Sequence, residues 1–402
     1  MNYLFNDFVV SGLNPSNLVE TGEQMKLTIS KNELNDAIQQ VAKAVSARPA
    51  IPILGGIKFD VNHQFVTLTA SDTDISIQSF ISVEQGDKII AQIDKPGSVV
   101  LPAKFFVEIV KKLPSDQVMI EVRSGFQTII RSGSSEIQMV GLDPEEFPVL
   151  PSIEQNDILQ IPGDLIKSMI RQTILAASTS EQTPILTGVL WNLHDSMLKF
   201  IATDRHRLAS RTTKVDSELN FSNIVISAKT LNELSRLIPD QNTLVDVVVA
   251  DNQVLFKVDN ILFYTRILDG TYPDTSKIIP QVFETELVLD TKNVMDAIDR
   301  AYLMSREEKT NIVRLATLDD GTIEISSSST ELGRVTEQLE VKQLTGEPLR
   351  IAFNSKYMLD VLKVIDSEQL FIGFSGAMRP IIVKPMDHPY SMYVILPYRT
   401  TG

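Results

Sequence analysis

The residues able to do chemistry are few. Histidine occurs four times, at His63, His194, His206 and His388, and no two stand at the short spacing by which a helix or turn presents paired metal ligands. Asp72-Thr73-Asp74 brings two carboxylates close together in sequence, a pattern found in cation loops and also in the turns that end strands. The densest polar run is Thr203-Asp204-Arg205-His206-Arg207. Together with Asp72, its Asp204 and His206 would make a metal-dependent hydrolase, but no nucleophile elbow, phosphate loop or glycine-rich dinucleotide turn accompanies them. No catalytic residue and no metal ligand is assigned, and no cofactor is implied.

A second chemistry is repeated along the chain. The segments PAKFFVEIVKKLP from Pro102, SAKTLNELSRLIP from Ser227 and NSKYMLDVLKVID from Asn354 align residue for residue. Each carries a base (Lys104, Lys229, Lys356), an acid four residues on (Glu108, Glu233, Asp360), and a second base (Lys111, Arg236, Lys363). Bases seven residues apart share one face of a helix. Phe106, Ile109 and Leu113, with Leu231, Leu234 and Ile238 and then Met358, Val361 and Ile365, form the opposite, apolar face. A row of cations suits phosphates. The acid between them is equally placed for intrahelical pairing, from Lys229 to Glu233 and from Glu233 to Arg236.

The elements that must position these helices recur as well. KLTIS from Lys26 alternates as a strand and runs into KNELNDAIQQVAKAV, where Leu34, Ile38, Val41 and Val45 keep helical spacing and Ser30 is placed as N-cap. The pattern returns at Leu159 and at Leu287. After each of these helices come short alternating strands such as PILGGIKFDV from Pro52, PILTGVLWNL from Pro184 and NIVRLATL from Asn311, separated by turns that include His194-Asp195 and Asp320-Gly321. Each unit is strand, helix, strands, helix and strands again, which gives α+β rather than alternating α/β. The fold class expected is three tandem, structurally similar domains of helices packed on antiparallel sheets. The expected spans are 25–152, 153–280 and 281–402, with boundaries in the Pro-rich stretches GLDPEEFPVLP and ILDGTYPDTSKIIP. Residues 1–24 precede the repeats as a leader.

The chain has 402 residues, no cysteine, a net charge of −14 and a mean hydropathy of +0.04. Disulfides and thiolate chemistry are excluded, the default compartment is the cytosol, and no apolar run reaches the roughly 18 residues of a membrane span. The acidic total argues against nucleic acid, yet on the six helical segments and their flanks bases outnumber acids sixteen to eleven. A focused positive surface inside an acidic shell is one reading. An acidic three-domain scaffold that never touches DNA is another.

Five motifs then carry a resemblance: AVSARPAIPILGG from Ala44, ATDRHRLA from Ala202, LDGTYPD from Leu268, FNSKYMLDVLKV from Phe353 and the ending YVILPYRT from Tyr393. In this order, over Met25 to the C-terminus, they resemble the bacterial DNA polymerase sliding clamps, the beta subunits of the replicative polymerase III holoenzyme. The resemblance implies a head-to-tail homodimer forming a ring, with helices lining a channel around duplex DNA. It implies sequence-independent DNA binding, opening by a clamp loader, and tethering of polymerase and repair proteins by short linear peptides, without catalysis.

By the same resemblance and the repeated bases, the DNA contacts fall on Arg48, Lys104, Lys111, Arg171, Lys229, Arg236, Lys356 and Lys363. The loop Thr179 to Thr183 lacks the basic and aromatic residues that relatives carry there. The partner-peptide cleft maps to Leu186, Thr203, Arg205, Leu208, Pro273, Ile278, Met378, Val394, Leu396, Pro397, Tyr398 and Arg399. The ring joint maps to Ile137 on one side and to Leu303 and Met304 on the other.

Overall fold

The computed structural model describes residues 23–46, 48–49, 51–150, 153, 157–240, 242–307, 311–388 and 390–399. The leader expected over 1–24 lies outside them except for Glu23 and Gln24, as does Ser152 at the expected first boundary. The chain forms two compact units: residues up to Ala70 with Phe80–Pro148, and Ser71–Ser79 with the chain from Val149 onward.

Among the described residues six α-helices stand where the sequence periodicity places them: α1 Lys31–Val41, α2 Ala103–Lys112, α3 Gly163–Ile174, α4 Ala228–Leu237, α5 Thr291–Glu307 and α6 Ser355–Leu362. Each buries one face, as α4 does with Leu231, Leu234 and Leu237. The expected cap at Ser30 is different. Its side chain makes no capping hydrogen bond, and the first amide of α1, that of Lys31, donates instead to the Asp116 carbonyl at 2.8 Å. The strand feeds straight into the helix, so backbone does the work usually left to a hydroxyl. In α6 the cap is a side chain: Asn354 accepts from the amides of Lys356 and Tyr357.

The two Pro-Ile-Leu motifs also differ from the expected strands. Pro52–Gly55 and Pro184–Thr187 each form one 3-10 turn with proline at its start, and the strands begin only at Gly56 and Gly188. Proline fixes a helical φ and lacks the amide a strand would need.

In the first unit, α1 and α2 touch one another. A five-stranded antiparallel sheet runs in the order Ser135–Val140, Gln127–Ser132, Gln117–Arg123, Glu23–Ser30, Ala91–Lys95. Met25, Leu27 and Ile29 alternate into its core. Phe59, on the strand Gly56–Val61, meets Phe106 of α2 edge to face at 5.2 Å.

In the second unit, a nine-stranded sheet runs Phe221–Ser227, Gly188–His194, Met197–Thr203, Arg207–Lys214, Ser391–Ile395, Ile381–Pro385, Gln369–Phe374, Thr285–Asp290, Gln343–Gly346. Its fourth and fifth strands come from repeats far apart in sequence, and their pairing makes one sheet of two repeats. A separate four-stranded sheet runs Gly333–Leu339, Ile323–Ser329, Ile312–Thr317, Arg350–Asn354. The centre of the middle repeat is aromatic: Trp191 stacks on Phe200 with centroids 3.9 Å apart, and Phe256 packs edge-on at 5.8 Å.

Candidate functional site

The strand pair Arg207–Lys214 and Ser391–Ile395 organises the site. Its register sets Arg207 against Ile395, Leu208 against Val394, Ala209 against Tyr393, Ser210 against Met392 and Arg211 against Ser391. Since side chains alternate along a strand, Leu208, Ser210, Met392 and Val394 share one face, and Arg207, Arg211, Tyr393 and Ser391 share the other.

The first face is the wall of an apolar cluster. Leu186, Leu190, Ile201, Leu208, Val225, Tyr272, Ile382 and Val394 are buried together, with Ile185, Leu268, Ile279, Phe283 and Met392 packed against them and still partly open. Two glycines allow the packing. Gly270 has φ +125° beside Ile185, and a Cβ on Gly188 would stand 2.6 Å from Val225 and 2.8 Å from Leu268. The Tyr272 hydroxyl accepts a hydrogen bond from the Thr203 amide at 3.0 Å. Burial, above all, pushes that phenol well above its ordinary pKa, so the cluster floor is neutral.

The rim is polar and held by a tight turn. Thr203 Oγ1 accepts from the Arg205 amide at 3.1 Å and donates to the Arg207 carbonyl at 2.7 Å. Arg205 sits at φ +76°, exposed, with its guanidinium 3.5 Å from Thr183 Oγ1. Asp204 Oδ1 accepts from the amides of His206 and Arg207, both at 2.9 Å, and its Oδ2 from Arg207 Nε at 3.0 Å. Asp72 builds the same turn in the first repeat, accepting from the amides of Asp74 and Ile75 around Thr73 at φ +83°. Both carboxylates singled out for a hydrolase are thus turn caps. Among the described residues no group of three or more His, Asp or Glu side chains gathers as a metal site.

Of the sequence-assigned cleft residues, Leu186, Leu208 and Val394 lie in the cluster and Thr203 is hydrogen-bonded to it through Tyr272. Ile279, next to the assigned Ile278, is the isoleucine packed on the cluster, while Ile278 is exposed. Pro273, Met378, Leu396, Tyr398 and Arg399 are exposed, and Arg205 with them. Pro397 forms a bridge with Phe353, and the Tyr398 amide donates to the Ala352 carbonyl at 2.7 Å, which fixes the tail to the rim of the sheet.

The helical bases are all at the surface. Lys104, Lys111, Lys229, Lys356, Lys363 and the loop residue Arg48 are exposed, and none of these six forms an ion pair with a described carboxylate. Lys104 lies 5.8 Å from the ring of Phe105. Of the acids between the paired bases, only Glu233 binds a base of its own pair. Glu108 binds Lys112 at 3.2 Å, Glu233 binds Arg236 at 2.9 Å, and Asp360 turns away to Arg207 at 2.6 Å. Of the two pairings expected around Glu233, only the one with Arg236 forms.

Arg171 is committed to Asp366 at 2.5 Å. It lines a hollow of about 520 Å³ between α3 and α4 with Asp164, Lys167, Asn232, Ser235 and Asp240. Lys167 is likewise bound to Asp240, whose carboxyl it holds below the ordinary range. With both its cations neutralised, this hollow is less suited to phosphate than the unpaired lysines are.

Comparison with known proteins places these domains in one family. Models of the DNA polymerase III beta subunit match residues 25–151 as the N-terminal domain, 160–274 as the central domain and 276–399 as the C-terminal domain. The chain belongs to the DNA polymerase III beta subunit family. It is 50% identical over 377 residues to the beta sliding clamp of Bacillus subtilis, covering 94% of this chain and 100% of that one. The crystal structure of the B. subtilis DNA polymerase sliding clamp superposes with a TM-score of 0.92. The beta chain of DNA polymerase III from Streptococcus pneumoniae, 36% identical, gives 0.89 over 94% of this chain and 100% of its own.

As a beta subunit the chain is a sliding clamp, a processivity factor of DNA polymerase III that is not itself catalytic. Within this family frame, the apolar cluster lies where the central and C-terminal domains share one sheet. The sequence missed most of its floor: Leu190, Ile201, Val225, Tyr272, Ile382 and Met392. Only Tyr272 carried a signal, within the LDGTYPD motif; the others are ordinary strand residues until register assembles them.

Among the strands that end the chain's open sheets, two carry or adjoin the residues assigned to the ring joint. Ser135–Val140, which holds Ile137, ends the five-stranded sheet, and Gly333–Leu339 ends the four-stranded one. Behind the first edge, Glu121 accepts from Arg123 Nε at 2.5 Å and from Arg131 Nη1 at 3.0 Å, and Arg131 also binds Glu136. The Arg123 hydrogen bond, opposed by burial and aided by Arg131, holds the Glu121 carboxyl below its ordinary range. A depressed carboxyl pKa means this contribution is whole above the usual glutamate range and is lost as pH falls from that range through the lowered folded-state value. Beside the second edge, α5 contacts Gly333–Leu339, Arg300 forks onto Glu337 with both bonds at 2.6 Å, and Leu303 is half exposed.

Proposed function

We propose that the chain works as a head-to-tail homodimeric ring around duplex DNA and docks short linear peptides of polymerase, clamp loader and repair proteins in the apolar cluster. The observation that carries this reading is that two of the chain's sheet-ending strands, Ser135–Val140 and Gly333–Leu339, carry or adjoin the apolar residues Ile137 and Leu303. An exposed edge strand with apolar residues is a template for another strand, and two different edges on one chain make a heterologous joint that closes when the rotation per unit allows. Ile137 on one edge and Leu303 with Met304 beside the other supply the apolar contact. The closed ring places DNA against Arg48, Lys104, Lys111, Lys229, Lys356 and Lys363, with Arg171 and Arg236 reaching phosphate only by leaving Asp366 and Glu233. Peptide anchors enter between Leu186, Leu208 and Val394, and Thr203, Arg205, Pro273, Ile278, Met378, Leu396, Pro397, Tyr398 and Arg399 form the rim. Work on chromosomal DNA places the chain in the cytoplasm. Among the described residues no helix is long and apolar enough to cross a membrane.

The deciding experiment loads the protein on nicked circular DNA and then cuts the circle. Retention on the circle with loss on linearisation is expected; equal retention on both forms would sink the topological mechanism, and no retention on either would favour the DNA-free scaffold.

A second expectation concerns salt. Removing one cation from a phosphate lowers the slope of log affinity against log salt by about 0.9. Lys356→Ala appears twice per ring, so the slope should fall by up to about 1.8 at a small cost in stability, because Lys356 is exposed. Fluorescence anisotropy with short duplexes over a salt series measures it, and an unchanged slope removes Lys356 from the DNA surface.

A further inference from the structure

The second face of the central strand pair sets two arginines, Arg207 and Arg211, beside the buried Ala209, Tyr393 and Ile395, which the cleft itself does not require. Arg207 is the residue before Leu208, so its side chain leaves the strand on the side opposite the apolar cluster. Only 12% of that side chain is exposed. Its Nε donates to Asp204 at 3.0 Å, its Nη1 donates to Asp360 of α6 at 2.6 Å, and its guanidinium carbon lies 4.3 Å from the ring centre of Tyr357, one turn earlier on α6. Its backbone carries the rim turn, with the amide bound to Asp204 and the carbonyl to Thr203. Asp204 and Arg207 belong to the central domain; Tyr357 and Asp360 belong to the C-terminal one. Further along the same face, Arg211 Nη1 donates to Ser391 at 2.6 Å, while Arg171 of α3 binds Asp366 just past α6.

We propose that Asp360 and Tyr357 are positioning residues for the cleft: by holding Arg207 they fix the first rung of the strand pair and, through it, Leu208 and the Thr203 to Arg207 rim turn. This rests on the reading of the cluster as a peptide site. A planar guanidinium gripped by two carboxylates and covered by an aromatic ring has one preferred place. A lysine or a lone carboxylate would not define it. The acid repeated as Glu108, Glu233 and Asp360 therefore has a distinct task in the third copy. In the first two it pairs along its own helix, whereas Asp360 reaches across 153 residues of sequence to the neighbouring domain. Committed to Arg207, Asp360 forms no ion pair with Lys356 or Lys363, which stay exposed on the cationic face.

The test uses the full-length protein and two readouts. Amide hydrogen exchange of the free protein is compared at 207–211 and 391–395 against 245–258, on strands outside the nine-stranded sheet, and affinity is measured for a fluorescein-labelled short linear clamp-binding peptide of the cognate replicative polymerase. Asp360→Asn should speed exchange in the strand pair by about tenfold and weaken the peptide by about tenfold, as loss of a charged hydrogen bond does. Exchange at 245–258 and the dimer should be unchanged, and Asp360→Glu should recover part of both effects. Tyr357→Leu and Arg207→Lys should repeat the pattern, which keeps the test open if one variant folds poorly. Unchanged exchange overturns the fastening, and faster exchange with unchanged peptide affinity overturns the positioning role. A wild-type chain that takes no peptide overturns the peptide reading while the exchange result still decides the fastening.

Discussion

Replacing Leu208 by alanine is expected to weaken binding of the polymerase's short linear peptide by about 10- to 100-fold, with the dimer and its retention on circular DNA intact. Leu208 is buried in the apolar cluster opposite Val394. A Leu→Ala change in such a place removes about 2–5 kcal/mol of packing. Part of that loss appears as lower stability of the nine-stranded sheet. The part that reports on function is the contact an anchor side chain makes with the leucine, and hot-spot contacts in desolvated pockets are worth at least about 1–3 kcal/mol. Leu396→Ala separates the two: Leu396 stands at the rim and is 37% exposed, so its loss should reduce affinity by less, about three- to tenfold, with almost no change in melting temperature. Isothermal titration and thermal unfolding of both variants measure the pair. Equal affinity in wild type and Leu208→Ala would remove the cluster as the docking site.

Much of this architecture is legible in the sequence because it is local and repeated. The three aligned segments mark α2, α4 and α6, and the bases Lys104 and Lys111, Lys229 and Arg236, and Lys356 and Lys363 all reach solvent as helical spacing requires. What spacing cannot show is the choice each acid makes. Glu108, Glu233 and Asp360 occupy one position of the repeat and select three kinds of partner. Asp360 does so because Arg207, carried on a strand of another domain, arrives within 2.6 Å.

The cleft was legible only in part, for a similar reason. Leu186, Leu208 and Val394 came with motifs that resemble the family, but Ile201, Val225 and Ile382 are β-branched strand residues indistinguishable from any core until the order of nine strands is known. The Asp204 and Asp72 turns went the other way. Their polarity invites a catalytic reading, and it takes the hydrogen bonds to the amides of His206, Arg207, Asp74 and Ile75 to show that it is spent on backbone.

Ring closure should be the most sensitive feature. Leu303→Asp is expected to convert the dimer to monomer at micromolar concentration and to abolish retention on circular DNA, while each monomer keeps its fold and its peptide affinity. Leu303 is half exposed on α5, so the substitution puts a charge on a surface of the free chain at little cost. In the closed ring the same carboxylate must lose water against the partner's Ser135–Val140 edge, which itself carries the carboxylate of Glu136, while Arg300, one turn before Leu303, is already forked onto Glu337. Burying an unpaired charge costs several kcal/mol, and each kcal/mol and a half is about a tenfold change in dissociation constant. A two-membered ring contains the joint twice, so dissociation to monomers carries the penalty twice, whereas opening a single joint to admit DNA carries it once. The expected order is therefore strict. A mild change such as Ile137→Ala should shorten residence on the circle before it yields monomers by sedimentation, and Leu303→Asp should do both. A stable Leu303→Asp dimer still retained on circular DNA would place the joint elsewhere on the chain.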